Sequence, residues 1–282
     1  MIDNNTAAWP HSGLEKAYLV YEIIVEAGET RMMALFKGQD VDVIGPTRSA
    51  RHYFLDYALE NDAIFVHFGG SPQARNQISS LGINNIDGIA HDSGRARDES
   101  ARFWRDRSKR APHNAYVNTD IINRIAANRG FRMTSQQPSV LNYVAHEVEL
   151  EDGIEATNVT IPYNSANIIR YVYDEENRVY IRYARNRRQT IGTTGEPLTV
   201  KNIIIVFARN TGLDGSGRQD LHNIGTLDGY YITNGRAIRI TAEKTDRRSP
   251  TIYRDLEGNV IEVNDGNTFI QIVPLNTNIA FI

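Results

Sequence analysis

Cysteine is absent from the 282 residues, which excludes disulfides, thiolate metal sites and a cysteine nucleophile. The absence does not choose a compartment, because a chain kept in a reducing cytosol and an exported product lacking its first residues look alike on this count. No apolar run approaches the roughly 20 residues needed to cross a bilayer. The opening "MIDNNTAAWPHSG" has neither a basic n-region nor an apolar h-region. Charge of one sign is also scarce. The net is -3 overall; residues 1 to 146 carry 16 Lys and Arg against 16 Asp and Glu, and residues 147 to 282 carry 15 against 18. Neither half is a polycation, which argues against a stripe that tracks a nucleic-acid backbone.

Catalytic and metal signatures are missing too. His11, His52, His91, His146 and His222 show no H-x-x-x-H or H-E-x-x-H spacing, so no zinc site is called for. "DGSGRQD", from Asp214 to Asp220, lacks the ligand spacing of a calcium loop and reads as a β-turn. There is no G-x-S-x-G elbow and no P-loop. The sequence therefore requires no metal and no cofactor. It also shows no internal repeat and no low-complexity tract.

What is present divides in two. In the first half, Ser12 and Glu15 form a capping box that predicts a short helix. "LVYEIIVE" and "RMMALF" predict a hairpin around "AGET". "VDVI" predicts a strand that runs through Gly45-Pro46 into a helix, and "AIFVH" predicts a strand that runs into a helix capped by Ser71 with Pro72 in its first turn. "NTDIINRIAANRG" predicts a helix stopped by Gly130. After about residue 150 short strands dominate, separated by turns at "DEEN", at Asn234-Gly235 and at Glu257-Gly258-Asn259. Tyr171, Tyr173, Tyr180 and Tyr183 read as cross-strand aromatic partners. The expected architecture is an α/β or α+β N-terminal domain, 1–146, followed by a β-rich C-terminal domain, 147–282. Pro138 and the acidic "EVELED" mark the seam.

Three polar stretches carry candidate chemistry. "VHFGGSP" puts His67, a Gly-Gly pair and the helix cap Ser71 at one strand end, where open α/β sheets bind ligands. "GPTRSARH" puts Arg48 and Arg51 in what should be the first turns of a helix, the wrong end for cations unless Asp42, Glu60 or a bound anion faces them. "RDRSKRAPHNAY" collects cations and then presents His113 and Asn114 beyond Pro112. From His91 to Asn114 the chain holds seven cations (Arg95, Arg97, Arg102, Arg105, Arg107, Lys109, Arg110) and four acids (Asp92, Asp98, Glu99, Asp106). So small an excess suits a discrete anionic group. In the hairpin, Glu22 and Glu26 share a face but stand roughly 13 Å apart at strand rise, too far for a glycosidase pair. Glu26 is instead expected to pair with Arg31 across the turn. Asp106 is expected to pair with Arg110 or to orient a catalytic histidine, and Arg107 and Lys109 are expected to be solvated.

Taken in order, "SGLEKAYLVYEIIVEAGETRMMALF", "IGPTRSAR", "HFGGSP" and "APHNAY" resemble the N-terminal domain of the YerB-like bacterial lipoproteins. "GRQDL", "GYYITNGRAIRI", "SPTIYRDLEGNVIEV" and "GNTFIQIVP" resemble their C-terminal domain. The resemblance implies an extracytoplasmic protein held to the membrane by a lipid on a cysteine, so this chain is expected to begin after the anchor. Two positions depart from the family's pattern: Ala242 and Phe269 stand where relatives often have tryptophan, which would weaken any surface those tryptophans form. The family brings no activity with it. Two functions follow from the residues. One is binding of an anionic cell-envelope small molecule or polymer, or of a protein partner, by Arg48, Arg51, His67, Ser71, Arg110, His113 and Asn114. The other is hydrolysis of a phosphate- or carboxylate-bearing envelope substrate, with His67 or His113 as acid or base and Asp106 as its orienting carboxylate.

Overall fold

The computed structural model describes residues 1–92 and 101–282. A large twisted sheet forms its centre. The strands lie in the order Ile2–Asp3, Thr30–Leu35, Leu19–Ile24, Thr268–Pro274, Asn202–Gly212, Gly225–Thr233, Arg236–Lys244 and Ile252–Asp255. Leu19–Ile24 and Asn202–Gly212 both run parallel to Thr268–Pro274, which sits between them. A second sheet contains Arg187–Arg188, Val179–Ala184, Ile168–Asp174, Asn158–Pro162 and Ala280–Phe281.

Alternation along the central strands builds two cores. Leu19, Tyr21 and Ile23 point to one face, where they pack with Phe54, Leu55, Tyr57 and Ala58 of helix α1, Phe54–Glu60. Val20, Ile203, Ile205 and Phe269 point to the other and meet Val159, Ile161, Ile169 and Tyr171 of the second sheet. Period two also sends Glu22 into the space between the sheets, fully buried. There its carboxylate accepts hydrogen bonds from Asn4 (2.9 Å), Thr30 (2.7 Å), Gln271 (3.0 Å) and the fully buried Arg182 (2.8 Å). A buried charge survives when every lone pair is used in this way. Of the tyrosines, Tyr173 and Tyr180 pair across strands, and Tyr171 and Tyr180 are core residues.

The α/β first half and the β-rich second half are present, and helices α2 (Pro72–Ser80) and α3 (Thr119–Asn128) lie where the capping pattern puts them. Three local expectations are corrected. Ser12 and Glu15 form no capping box: a single 3-10 turn, Leu14–Lys16, follows Gly13, whose φ of 85° and close approach to the Val43 carbonyl exclude a side chain. "VDVI" forms no strand: within it only Ile44 makes an isolated bridge, to Val117, and the next residue, Gly45, bridges Ser12. Gly45-Pro46 leads into an irregular segment held by bridges at Thr47 and Ala50, and α1 begins only at Phe54. Arg48 and Arg51 therefore precede the helix and do not lie in its first turns. Strands from both sides of residues 146/147 share the central sheet.

Candidate functional site

The hairpin, the irregular segment before α1 and the loop before Asn114 converge on a cleft of about 360 Å³. Its walls include Asp3, Glu26, Glu29, Arg31, Arg48, Arg51 and His113 from the first half and Ser216 and Arg218 from the second. The chain reaches it through backbone geometry set locally: residues 26–28 close the hairpin in a 3-10 turn with Ala27 at φ 57°, which lifts Glu26 out of the ladder. Glu26 then grips Arg51 with both carboxylate oxygens, at 2.5 and 2.8 Å. Burial works against the Glu26 charge, but the hydrogen bond and charge of Arg51 outweigh it and hold the carboxyl below its ordinary range.

Asp3 is the second anionic anchor. Its Oδ2 lies 2.7 Å from His113 Nδ1 and 3.2 Å from Arg48 Nε, with Asp3 almost buried. The Arg48 contact is an ion pair by distance only, since Nε lacks hydrogen-bond geometry to any acceptor among the described residues. Glu29 is occupied by Arg185 at 2.7 Å.

Arg31 is different. Only 6% of it is exposed, and in the ladder it stands opposite Ile23 and Asp3. Among the described residues its guanidinium makes one hydrogen bond, from Nη1 to the Ser49 carbonyl at 2.9 Å, no carboxylate lies at ion-pair distance, and Nε is buried with no partner. Burial and the neighbouring charges of Arg51 and Arg48, only partly offset by those of Asp3 and Glu26, lower its pKa to about 10, so at neutral pH it stays charged in a place that opposes the charge. On the inner wall Glu26 is thus engaged by Arg51, Asp3 by His113 and Arg48, and Glu29 by Arg185, while Arg31 has no carboxylate at ion-pair distance among the described residues.

The other expected site residues lie elsewhere. His67 is buried, with Nδ1 2.8 Å from the Gly69 carbonyl and 3.9 Å from Asp87, and burial lowers its pKa. Ser71 caps α2 by accepting the Ala74 N–H. Asn114 braces its own loop, accepting from Arg105 at 3.0 Å and donating to the Asp106 and Lys109 carbonyls. Arg110 is exposed, and its carbonyl accepts the His113 N–H. Asp106 corrects two expectations: it accepts from Ser108 N and Oγ, at 2.8 and 2.7 Å, and orients neither histidine nor Arg110. Lys109 is not solvated either, since its ammonium donates to the Ala8 and Pro10 carbonyls and to Tyr116. Lys109 and Arg105 therefore hold loops, Arg105 pairing with Asp92 and lying 4.4 Å over the Phe68 ring, while Arg107 and Arg110 are exposed. Arg95, Arg97, Asp98 and Glu99 lie outside the described residues.

The same fold is found in a relative. Residues 1–132 match the N-terminal domain, and residues 159–270 the C-terminal domain, of a protein of unknown function (DUF3048). The chain is 30% identical over 285 residues to the candidate lipoprotein YerB of Bacillus subtilis (strain 168), covering 97% of this chain and 80% of YerB. It belongs to the DUF3048 family. The crystal structure of YerB protein from Bacillus subtilis superposes with a TM-score of 0.85 at 30% identity, over 99% of this chain and 91% of that one. Within the DUF3048 frame, the N-terminal match carries Asp3, Glu26, Arg31, Arg48, Arg51 and His113, while the C-terminal match carries Arg185 and Arg218. The two departures from the family pattern are core positions here: Phe269 is fully buried between the sheets and Ala242 is buried on the α1 side. Neither forms part of an exposed surface.

Proposed function

We propose that this DUF3048 protein is an extracytoplasmic, lipid-anchored binding protein whose cleft receives the carboxylate or phosphate of a cell-envelope ligand. The buried guanidinium of Arg31, with no carboxylate at ion-pair distance among the described residues and Nε without a hydrogen-bond partner, carries this reading. A buried charge whose hydrogen bonds are incompletely satisfied is expensive, and a forked guanidinium suits an incoming carboxylate or phosphate. Arg48 adds a partly exposed cation, 3.2 Å from Asp3, at the same wall. A cleft of about 360 Å³ falls in the size range of small-molecule sites. The resemblance to a candidate lipoprotein supports the location.

Thermal unfolding of the wild type and of Arg31→Met against phosphate, sugar phosphates, muropeptides and teichoic acid fragments tests it. At about a hundred times the dissociation constant, site binding adds roughly 2.7 kcal/mol of stability. The expected result is a stabilising shift in the wild type that disappears in Arg31→Met. An equal shift in both proteins, or none from any compound, rejects the reading; the absence of any shift would turn attention to a protein partner.

One contact supports a second reading, in which the cleft is also hydrolytic. His113 is held by Asp3 at 2.7 Å, and its Nε2 has no protein partner among the described residues, the arrangement a general base requires. Asp3 takes the orienting role here, not Asp106, and His67 has no part because it lies outside the cleft. Turnover of whichever compound binds, lost in His113→Gln with binding retained, is the expected outcome on this reading.

A further inference from the structure

The second wall of the cleft comes from an arm of the C-terminal half. Residues 203–206 of the strand Asn202–Gly212 lie inside the central sheet, paired on both sides. From Arg209 to Gly212 the strand has left that sheet and pairs with Gln219–His222 alone, in the register Arg209↔His222 to Gly212↔Gln219. The root of this arm is fixed, because Leu221 is buried and His52 meets Asp220 at 2.8 Å. Its tip is not packed. Residues 211–217 are exposed, and a side chain added at Gly212, Gly215 or Gly217 would meet nothing.

The tip's own polar contacts close on themselves. Asp214 accepts from Ser216 N and Oγ and from Arg218 Nη1 at 2.7 Å, and Gln219 donates to the Gly217 carbonyl. Ser216 and Arg218 nevertheless line the same cleft as Arg31, Arg48 and Arg51, and among the described residues neither forms a hydrogen bond or ion pair to the facing wall. Guanidinium groups thus stand on both sides of the cleft, set against Asp3, Glu26 and Glu29 on one side and against Asp214 on the other. The Arg218–Asp214 pair is about one-third exposed at each partner, and such pairs are weak enough to be exchanged for a better acceptor.

We propose that Arg218 is a specificity residue, and that the cleft takes a ligand with two anionic groups a short spacer apart, one held at Arg31 and the other at Arg218. This rests on the anion-binding reading above and extends it. A single phosphate or carboxylate engages the inner wall alone; a ligand with two such groups bridges both walls and draws Arg218 away from Asp214.

The test is calorimetric titration of the full chain with orthophosphate and with pyrophosphate at one ionic strength. In the wild type pyrophosphate should bind tighter. Arg218→Ala should weaken pyrophosphate about tenfold, the scale of one lost charge-assisted contact, and leave orthophosphate unchanged. Asp214→Asn, which frees Arg218 without disturbing the core, should strengthen pyrophosphate; a purely structural role for the pair gives no such gain. If orthophosphate binds but the ratio of the two affinities is the same in all three proteins, Arg218 is not a specificity residue and the inner site stands. If neither anion binds the wild type, the inner site and this inference fall together.

Discussion

Arg31 shows at the scale of one residue how a site can be built at the expense of stability. Its folded pKa of about 10 lies below the ordinary value of 12.5 because burial and two neighbouring guanidinium groups oppose the charge more than Asp3 and Glu26 support it. The sign follows directly: below pH 10 the arginine is charged in both states, the folded state alone bears the penalty, and the penalty is relieved only as pH rises through 10. Arg31→Met keeps most of the packing and removes the charge. It should therefore raise the stability of the ligand-free protein at pH 7, by a net amount on the order of 1 kcal/mol after the lost hydrogen bond to Ser49 is counted. Urea denaturation in anion-free buffer measures this, and a loss of stability would mean that Arg31 is a structural residue. In the sequence, Arg48, Arg51 and His113 stood out because each sits beside a backbone breaker or a run of cations. Arg31 did not, because a hairpin acid and a hairpin base suggest each other, whereas the 3-10 turn hands Glu26 to Arg51. Asp3 carried no local signal at all, since its partner His113 lies 110 residues away.

Among elements, the helix that opens at Ser71 separates a cap from a ligand-binding hydroxyl. Ser71 has extended backbone and accepts the Ala74 N–H at 3.2 Å, with Pro72 in the first turn. Ser71→Ala should lower stability by about 1 kcal/mol and leave anion binding unchanged; a loss of binding at full stability would return this serine to the site. Capping and breaker rules are short-range, which is why α2, α3 and the hairpin were legible while the segment from Gly45 to Tyr53 was not. That segment takes its shape from bridges to Ile2 and Gly70, contacts that no window of neighbouring residues contains. The hairpin strands held an unused signal. "LVYEII" is buried along almost its whole length, with Glu22 inside it, and "TFIQIVP" is buried with Gln271 inside it. A nearly continuous apolar run marks a strand covered on both faces, and parallel pairing follows from that more readily than an exposed hairpin does.

The division of the whole molecule into two halves is a division of sequence, and the central sheet cuts across it. Leu19–Ile24 lies between its hairpin partner Thr30–Leu35 and Thr268–Pro274 from the far end of the chain, in register from Leu19↔Thr268 to Ile23↔Ile272. Glu22 and Arg182 add a buried ion pair between the halves, and Lys244 and Glu60 add another at 2.8 Å. A fragment ending near residue 146 would leave one edge of that hairpin unpaired and the carboxylates of Glu22 and Glu60 without their cations, and breaking a buried ion pair costs about 3–5 kcal/mol. That is comparable to much of a domain's stability, so neither half should fold alone. The exposed stretch at residues 132–139 is still the expected site of first cleavage by a dilute protease. The nicked protein should then elute from gel filtration at the size of the intact chain and separate only in denaturant. Two folded pieces that part in native buffer would show that each half carries a sufficient core, and the cleft, with Arg31 on one side and Arg218 on the other, would then be a junction between independent domains.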